Sequence, residues 1–478
     1  MKTRLSAAFV ATSLFLAGCA VGPDYKRETA PVPPRWSADR SRGTNTSEPE
    51  DQWWASFHDP QLDNLVRRAV RANLDLGIAA ARVAEARARR GIAASGLYPA
   101  IDATASATRN RQGVVPPPGG APTTGRFVPV EFNDFRIGFD ASWELDIFGR
   151  IRRGLQAADA DAAAATEARR EVLVTVLGEV GRSYAELRGS QLRLDIARKN
   201  IETQRDTLDL TRTRAAAGLA TQLDVARAFA QLEATRAVEP GLQSAIETSI
   251  HRLSVLLGQE PGALRIELLP GAPVPVPPPE VPVGLPSELL ERRPDVRRAE
   301  AEVAAATARV GEAKAEFFPR FVLTGSAGRQ ATQIHDITLG VGNFFGVGPA
   351  VTLPVFTGGQ IRSRVAVQDA RLREAVIAYR AAVLSALEET ENALVGYDRE
   401  QTRRERLESA VASNRESVRL SADIYRAGLT DFLSVLDAQR ELYANEDLLA
   451  QSRTAQTVNV IALYKALGGG WQSFPQPR

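Results

Sequence analysis

Hydrophobic positions along the chain follow two different periods, and each period predicts a different kind of element. Between residues 151 and 217 apolar side chains recur at heptad spacing without a proline, a pattern typical of a helix packed in a coiled coil. A helix of that length would run about 100 Å at 1.5 Å per residue, far more than a globular core needs. The apolar heptad positions are Leu173, Leu177, Val180, Tyr184, Leu187, Leu194, Ile201 and Leu208.

A strict alternation of apolar and polar or small residues runs from Phe135 to Leu145, which predicts a strand about as long as a tilted transmembrane strand. The same pattern recurs near 345–356, and weaker patterns predict strands near 101–110 and 320–329. For one strand alone, a half-buried strand of a soluble sheet is the better explanation, but four strands in two symmetric hairpins beside very long helices favour a membrane sheet. Four strands cannot close a barrel, because the smallest known barrels need about eight. We therefore expect several chains to share one barrel.

The chain contains two copies of one unit. At an offset of about 220 residues, Val83, Arg89, Gly91 and Pro99 recur as Val303, Arg309, Gly311 and Pro319. At an offset of about 210, Ala217-Gly218-Leu219 recurs as Ala427-Gly428-Leu429, and Leu223, Val225 and Leu232 recur as Leu433, Val435 and Leu442. The change of offset places extra residues in the first copy, where a Pro- and Gly-rich stretch at 111–130 reads as an exposed loop. Each copy is predicted to contain a helix, two strands, a very long helix, a tight turn and a returning helix.

These patterns give the following organisation. Residues 1–18 are a signal peptide, 19–61 an extended N-terminal segment, 62–270 the first repeat, 271–286 a Pro-rich linker, 287–470 the second repeat and 471–478 a tail. In the first repeat we expect a helix over 62–97, strands near 101–110 and 132–145, the long helix 151–217, a tip turn at 218–221 and a helix at 222–257. In the second we expect a helix over 287–317, strands near 320–329 and 345–356, the long helix 361–426, a tip turn at 427–430 and a helix at 431–467.

The first residues read as an export signal with a site for lipid attachment. Lys2 and Arg4 precede a short apolar stretch, too short to be a transmembrane helix. Leu16-Ala17-Gly18-Cys19 resembles a lipobox, in which the cysteine becomes the lipidated N-terminus. The alternative is a plain signal peptide with an incidental cysteine, although Cys19 is the only cysteine in the chain. By resemblance to the enteric sorting rule, Ala20 after the cysteine sends the protein to the outer membrane.

Composition and charge exclude several function classes. Cleavage after residue 18 leaves 57 basic and 57 acidic residues, without the basic surplus that a nucleic-acid partner usually requires. The mature chain has no apolar run of eighteen residues, so it carries no predicted transmembrane helix. The three histidines, His58, His251 and His335, lie far apart without metal-ligand spacing. We therefore expect no catalysis, no metal and no cofactor other than the lipid on Cys19.

Several motifs resemble the lipoprotein branch of TolC-like outer-membrane factors, often called the NodT family. Cys19-Ala20-Val21-Gly22-Pro23-Asp24-Tyr25 is similar to the mature start of that family, and Trp53 to Pro60 resembles its next block. Leu290 to Val296 (Leu-Glu-Arg-Arg-Pro-Asp-Val) resembles the start of its second repeat. Pro354 to Gly359 looks like its strand-to-helix corner, and Tyr425 to Arg440 is similar to its periplasmic tip. The resemblance covers nearly the whole mature chain.

The resemblance implies a mainly helical fold with membrane β-structure. Three chains would form a twelve-stranded β-barrel in the outer membrane and a periplasmic α-barrel of long coiled-coil helices. It also implies the exit duct of a tripartite efflux pump, which joins a periplasmic adaptor (a membrane fusion protein) and an inner-membrane transporter, commonly of the RND type. Two other interpretations stay open: a lipid-tethered coiled-coil spacer without a pore, and an exit duct for protein secretion of type I.

The candidate functional residues lie at the predicted tip. Leu433 and Asp437 share one helix face because they are four residues apart, and by resemblance they occupy a constriction and a selectivity-ring position. Rings of carboxylates attract cations and rings of leucines close by dewetting. By resemblance, Ser434 stands where some relatives have a second acidic residue, which Asp431 would partly replace. Asp224 and Tyr425 match a family pair that holds neighbouring hairpins shut.

Other tip residues complete this prediction. Arg426 could close the tip through a charge-assisted hydrogen bond. Gly218-Leu219 and Gly428-Leu429 are expected to form left-handed turns and, since these turns would face the pump, the adaptor docking surface. The simpler interpretation is that the charged residues are ordinary solvated helix-end charges, which usually contribute nothing measurable.

Overall fold

The computed structural model describes residues 20–37, 43–112, 129–339 and 342–474. Cys19, the signal peptide 1–18 and most of the loop at 111–130 lie outside the described residues, as do residues 475–478. The chain forms two compact units. The first contains the segment up to Glu28 together with Ala84–Ala163 and Ala301–Ile377, and the second contains Thr29–Val83, Ala164–Glu300 and the rest of the chain from Ala378.

Strands and helices are numbered separately in chain order. The strands are β1 (Thr44–Asn45), β2 (Ala100–Gln112), β3 (Val130–Leu145), β4 (Val281–Pro282), β5 (Arg320–Ala331) and β6 (Asn343–Thr352). The helices of the first repeat are α1 (Pro60–Ala72), α2 (Leu74–Ser95), α3 (Arg150–Ala216), α4 (Gln222–Arg236), α5 (Glu239–Leu256) and α6 (Arg265–Leu268). Those that follow are α7 (Leu289–Arg292), α8 (Pro294–Ala315), α9 (Gln360–Arg426) and α10 (Phe432–Ala466).

The first unit is built on one antiparallel sheet in the order β2-β3-β5-β6. Its register brings Phe139 of β3 opposite Ala103 of β2 and Ala327 of β5, and Ala327 opposite Phe345 of β6. Side chains alternate between faces along a strand, so the apolar positions of all four strands share one face. Polar residues such as Thr104 and Asp140, which are hydrogen-bonded at 2.8 Å, occupy the other face.

The apolar face of this sheet has no covering layer within the described residues. Ile101, Phe139, Phe345 and Val347 are all exposed, Phe345 to 88%. The strands β2 and β6 are open edges with unpaired backbone groups, and such edges are sites for pairing with another chain. Pro349 fits this arrangement because it lies on the edge strand β6, where its missing N–H costs little.

The strand expected at 345–356 is shorter at its end than the pattern suggested. β6 stops at Thr352, whereas Leu353 and Val355 continue the apolar alternation without ladder bonds. Pro354 has no N–H and fixes φ, so it ends the pairing. The prediction was wrong here because apolar periodicity continued past the last backbone hydrogen bond.

The helix expected over 62–97 is two helices separated at Asn73. Its backbone is extended (φ −64°, ψ 130°), its side-chain oxygen accepts the Leu76 N–H at 3.1 Å, and its amide donates to the Leu256 carbonyl at 2.9 Å. Asn73 therefore caps α2 and satisfies a carbonyl at the end of α5. A side chain that caps one helix and bonds to another competes with continued helix, which apolar spacing alone does not show.

The helix expected over 222–257 is also divided, into α4 and α5. Helical backbone angles continue through Ala237 and Val238, but the ladder tightens and Val238 donates to the Thr235 carbonyl at 3.2 Å. Pro240 lies in the first turn of α5 and has no N–H to donate to residue 236. The equivalent helix of the second repeat, α10, has no proline and runs unbroken for 35 residues.

The second unit has an aromatic core around the N-terminal segment. Trp53 is 1% exposed and stacks on Tyr464 with ring centroids 5.7 Å apart. In the same unit β1 pairs with β4, so the segments predicted as extended and Pro-rich are joined by a short parallel ladder. No helix among the described residues is both long and apolar enough to cross a membrane.

Candidate functional site

Each long helix ends at its tip in the same hydrogen-bonded turn. Gly218 has φ +76° and Gly428 has φ +73°. In both turns the glycine N–H donates to the carbonyl three residues earlier, and the next leucine N–H donates to the carbonyl five residues earlier. This Schellman arrangement needs a residue at positive φ, which only glycine adopts at low cost. The left-handed turn predicted at both glycines is present.

The two returning helices are capped by the same pair of groups in reversed order. In the first repeat the N-cap is Thr221, whose hydroxyl accepts from the Asp224 N–H, and the Asp224 carboxylate accepts from the Thr221 N–H at 3.0 Å. In the second the N-cap is Asp431, whose carboxylate accepts from the Ser434 N–H at 3.1 Å and hydroxyl at 2.8 Å. These bonds, the side-chain one first, lower the pKa of Asp431 below its ordinary value.

Below the caps, both hairpins contribute to one buried cluster. Its members from the long helices are Ile201, Leu208 and Tyr425, and its members from the returning helices are Ala228, Leu232, Phe432, Val435 and Leu436, with Val225 packed against them. Burial of one apolar face in this cluster fixes which face of each returning helix is left exposed.

Tyr425 is buried in this cluster, but its hydroxyl has no hydrogen-bond partner among the described residues. Its ring packs against Phe432, and the Arg214 guanidinium lies 4.5 Å above it. Arg214 also donates to the Tyr425 carbonyl at 3.1 Å, which fixes the end of α9 to the end of α3. An unpaired buried hydroxyl is unusual in a folded protein.

The predicted pair of Asp224 and Tyr425 makes no bond within one chain. Both hydrogen bonds that Asp224 accepts from Thr221, one from the N–H and one from the hydroxyl, use Oδ2, so Oδ1 remains open. Arg426 pairs with Asp423 on its own helix at 3.0 Å instead of reaching a second hairpin. Within the monomer, both Asp224 and Arg426 behave as ordinary helix-end charges.

The other predicted residues are displayed at the surface of the tip. Leu433 and Asp437 are both exposed, and the nearest cation to Asp437 is Arg440 at 3.9 Å. Leu219 and Leu429, which follow the two turn glycines, are 68% and 79% exposed. The two turns therefore each expose one leucine at an equivalent place.

Sequence reasoning missed three residues that build the tip. Thr221 and Asp224 follow a Thr-x-x-Asp spacing, close to the capping-box signature, so this cap was visible in the sequence. Arg214 contacts the Tyr425 ring and donates to its carbonyl from a helix more than 200 positions earlier in the chain, and Phe432 packs on the same ring from across the tip turn. No local pattern marks such contacts.

The residues after Cys19 are fixed in the first unit. The Val21 N–H donates to the Phe148 carbonyl at 3.1 Å. Arg153 is 4% exposed; it donates to the carbonyls of Val21 and Gly22 and to the Asp24 carboxylate at 2.9 Å. The chain that follows Cys19 is therefore held at the junction of β3 and α3.

Among the described residues, no group of three or more acidic, histidine or cysteine side chains is arranged to hold a metal ion. The helix tips present hydrogen-bonded turns, exposed leucines and a few exposed charges.

Comparison with known proteins places the chain beside channels of the bacterial outer membrane. A profile of the family described as outer membrane efflux protein matches residues 65–259 and 285–469. The pyoverdine export outer membrane protein OpmQ of Pseudomonas aeruginosa is 34% identical, over 97% of this chain and 96% of the relative. The toluene efflux pump outer membrane protein TtgC of Pseudomonas putida is 30% identical, over 98% of this chain and 96% of the relative.

A solved structure of the outer-membrane channel OprN is similar over 95% of this chain and all of that chain, with a TM-score of 0.89 and 38% identity. The similarity thus extends over the sheet, the long helices and the tips alike.

Proposed function

The chain belongs to the outer membrane efflux protein family and is an efflux channel of the outer membrane, and from that premise we propose that it works as a homotrimer whose helix tips form the gate. The matched relatives are channel and efflux proteins. We therefore propose that this chain conducts its cargo through a channel and catalyses no reaction.

The sheet supports the proposed trimer. In the part of the chain that the structure describes, the outer edges of β2 and β6 are unpaired and one apolar face is uncovered. Pairing β2 of one chain with β6 of the next would close three sheets into one ring of twelve strands and leave no edge. The uncovered apolar face would then contact lipid. This single observation, an apolar sheet with two open edges, carries the proposal of a shared pore.

We further propose that Cys19 carries the lipid anchor. The segment from Val21 to Asp24 is fixed by Arg153 and Phe148 beside the end of β3, so a lipid on Cys19, two residues before Val21, would start close to the sheet. The lipid is then an accessory tether, because the sheet supplies the span. Mass spectrometry of the mature N-terminus tests this, and an unmodified cysteine or a different cleavage site would overturn it.

The partners and cargo follow from the family at the level of class. A channel of an efflux pump needs a periplasmic adaptor and an inner-membrane transporter, which we propose to be of the RND type. One relative is named for pyoverdine export and another for toluene efflux. Those names favour small molecules over secreted proteins as the cargo of this chain.

We assign the gate to the tip cluster and the residues around it. Among the described residues, the buried Tyr425 hydroxyl has no acceptor and the Asp224 carboxylate has an oxygen without a donor. A bond from the hydroxyl of one subunit to Asp224 of the next would satisfy both groups and hold neighbouring hairpins together. Leu433 and Asp437 lie on the exposed face that such packing would turn toward the axis.

The test is single-channel conductance in planar bilayers. Tyr425→Phe removes only the hydroxyl and leaves the ring contacts with Phe432 and Arg214, so the tip should still fold. We expect its conductance to exceed that of the unchanged protein. Tyr443→Phe is a matched control on a partly buried tyrosine elsewhere in α10.

Two other results would contradict the proposal in different ways. Unchanged conductance in Tyr425→Phe would contradict the proposed bond between Tyr425 and Asp224 as the gate, but it would leave the proposed pore standing. If the unchanged protein forms no channels and has a monomeric mass in mild detergent, the proposal of a trimeric pore is wrong.

A further inference from the structure

A buried glutamine interrupts the apolar seam of α3 within the tip cluster. Gln204 lies between Ile201 and Leu208, two members of that cluster, and is 4% exposed. Within the described residues, neither its amide nitrogen nor its amide oxygen has a hydrogen-bond partner. Such an amide is costly, because it has given up its hydrogen bonds to water without replacing them. The packing around Gln204 in this structure does not account for its being there.

A second glutamine of α3 shows how a buried amide is satisfied in the same helix. Gln191 is 8% exposed. Its amide nitrogen donates to the Leu268 carbonyl at 2.8 Å, and its amide oxygen accepts from the Arg188 guanidinium at 2.7 Å. Gln191 and Gln204 therefore share a residue type, a helix and a low exposure, and they differ in whether their amides are paired.

The second repeat uses the equivalent position to join its two helices. At the offset of about 210 residues, Gln204 corresponds to Asn414. The Asn414 amide donates to the Glu441 carbonyl at 3.3 Å, and Asn445 donates to the same carbonyl at 3.0 Å from within α10. The bond from Asn414 links α9 to α10, so the second hairpin is held together at this level. Gln204 makes no corresponding bond to α4 within the described part of the chain.

A contact between the two hairpins lies one helical turn from Gln204. The Gln439 amide on α10 donates to the Thr207 hydroxyl on α3 at 3.0 Å, and Gln439 is 8% exposed. Gln204 and Thr207 are three residues apart, so they lie on the same side of α3, about 4.5 Å apart along its axis. Gln439 thus has one partner in place and an unpaired amide close to it.

We infer that Gln204 is a second partner for Gln439, and that the second hairpin moves between two registers on α3. In the register of this structure, Gln439 binds Thr207. In the other register, α10 is displaced by about 4.5 Å away from the tip turn, and the two glutamine amides bind each other. The inference rests on the proposed function, because this displacement would accompany opening of the proposed gate. Gln204 is then a positioning residue of that gate.

The other contacts between α3 and α10 permit a displacement of this size. Asn200 donates to Glu446 at 3.5 Å, beyond the usual length of such a bond. Arg193 donates to Asp447 at 2.6 Å, but both side chains are partly exposed and the long arginine side chain can follow its partner. The apolar contacts of the tip cluster are non-directional. A directional hydrogen bond with two acceptor positions therefore selects between two discrete arrangements of the helices.

The first experiment records single channels in planar bilayers and compares variants that should act in opposite directions. Thr207→Val removes the partner of the present register and should raise the fraction of time at high conductance several-fold. Gln204→Leu removes the partner of the other register and should lower that fraction several-fold, whereas Gln204→Asn keeps an amide and should lower it less. In a Gln439→Leu background neither Thr207→Val nor Gln204→Leu should have a further effect, because the residue that exchanges partners is gone.

Two results of this experiment would overturn the inference. Changes in the same direction in Thr207→Val and Gln204→Leu would show that both merely alter the strength of the interface. Full effects of both variants in the Gln439→Leu background would show that they act independently of Gln439. If the unchanged protein forms no channel in any condition, the proposed function fails separately, and the second experiment still decides the inference.

The second experiment needs no open channel and measures hydrogen exchange of the α10 amides around Gln439 in the assembled protein. Gln204→Leu replaces an unpaired amide with an apolar side chain of similar size, so it should slow this exchange about tenfold. Gln191→Leu is the matched control: it leaves the Leu268 carbonyl without its donor and should speed exchange in the adjoining part of α3. Unchanged or faster exchange around Gln439 in Gln204→Leu would show that Gln204 already has a partner in the present register, and would overturn the inference.

Discussion

The two hairpins of this chain are built alike at their ends and differently in between. Gly218 and Gly428 form the same turn at the tip, and Gly258 and Gly468 form a second matching turn where the returning helices end, at φ +68° and +69°. Between these points α10 is continuous, whereas the helix after Gly218 is interrupted near Pro240. The repeat therefore keeps the points where the chain reverses, not the helix that joins them.

The tips show the same division between shared geometry and changed chemistry. The cap of each returning helix uses one hydroxyl and one carboxylate, yet the two groups exchange positions between Thr221-Asp224 and Asp431-Ser434. Either order satisfies the free N–H groups of a first turn. Because the fold accepts both orders, the exposed charges of the two hairpins could diverge without altering the hairpin itself.

The first comparison concerns the two glycines of the first hairpin. Gly218 and Gly258 share a positive φ, which costs other residues roughly 1–2 kcal/mol. A Cβ at Gly218 would meet no atom within 4 Å, but a Cβ at Gly258 would lie 2.3 Å from the Ala72 carbonyl oxygen. We expect Gly218→Ala to cost only the backbone term and Gly258→Ala to add about 1–3 kcal/mol for overpacking.

Hydrogen exchange of the amides that close each turn measures both costs in the assembled protein. Exchange should rise more in Gly258→Ala than in Gly218→Ala, about tenfold for each 1.4 kcal/mol. Equal increases at the two turns would show that the Ala72 carbonyl moves aside, and that the two ends of the hairpin are equally tolerant.

A second comparison separates the two faces of α4. Leu232 is 3% exposed in the tip cluster, so Leu232→Ala should destabilise the tip by about 2–5 kcal/mol. Leu223 is largely exposed in the chain, so Leu223→Ala should leave the fold of the hairpin nearly unchanged. Exchange of the α4 amides measures the difference, which we expect to be about 30-fold or more. A comparable loss in Leu223→Ala would mean that Leu223 belongs to a buried interface between subunits.

Much of the fold followed from periodicity because its longest elements have the strongest patterns. The heptads of α3 and the alternation in β3 each persist over many residues, so neighbouring contacts could not obscure them. The tip turns followed from Gly218 and Gly428, since a glycine after a long helix signals a left-handed cap. The break at Pro240 was also visible, but the apolar pattern on both sides of it masked the interruption.

Other features could not be predicted because they depend on contacts distant in sequence. Asn73 interrupts a helix to reach the Leu256 carbonyl, and Tyr425 is held by Arg214. At the candidate site, residue types indicated where the charges are. Only the packing of the tip cluster showed which of them are engaged in caps, which pair along their own helix and which remain free.

The smallest expected effect separates the two caps by pH. The folded pKa of Asp431 lies below its ordinary value of 3.8, so its charged form stabilises the second tip above that pH. This contribution is lost as the pH falls through the lowered folded pKa. Asp431→Asn keeps a good N-cap without a titrating group, so the first turn of α10 should become insensitive to pH below 4.

Exchange of the Ser434 amide at pH 5 and pH 3 measures this, with the Asp224 amide as the internal reference. If exchange at Ser434, corrected for intrinsic rates, shows the same pH dependence in both proteins, Asp431 does not control the cap, and the reversed order of the two caps has no energetic consequence.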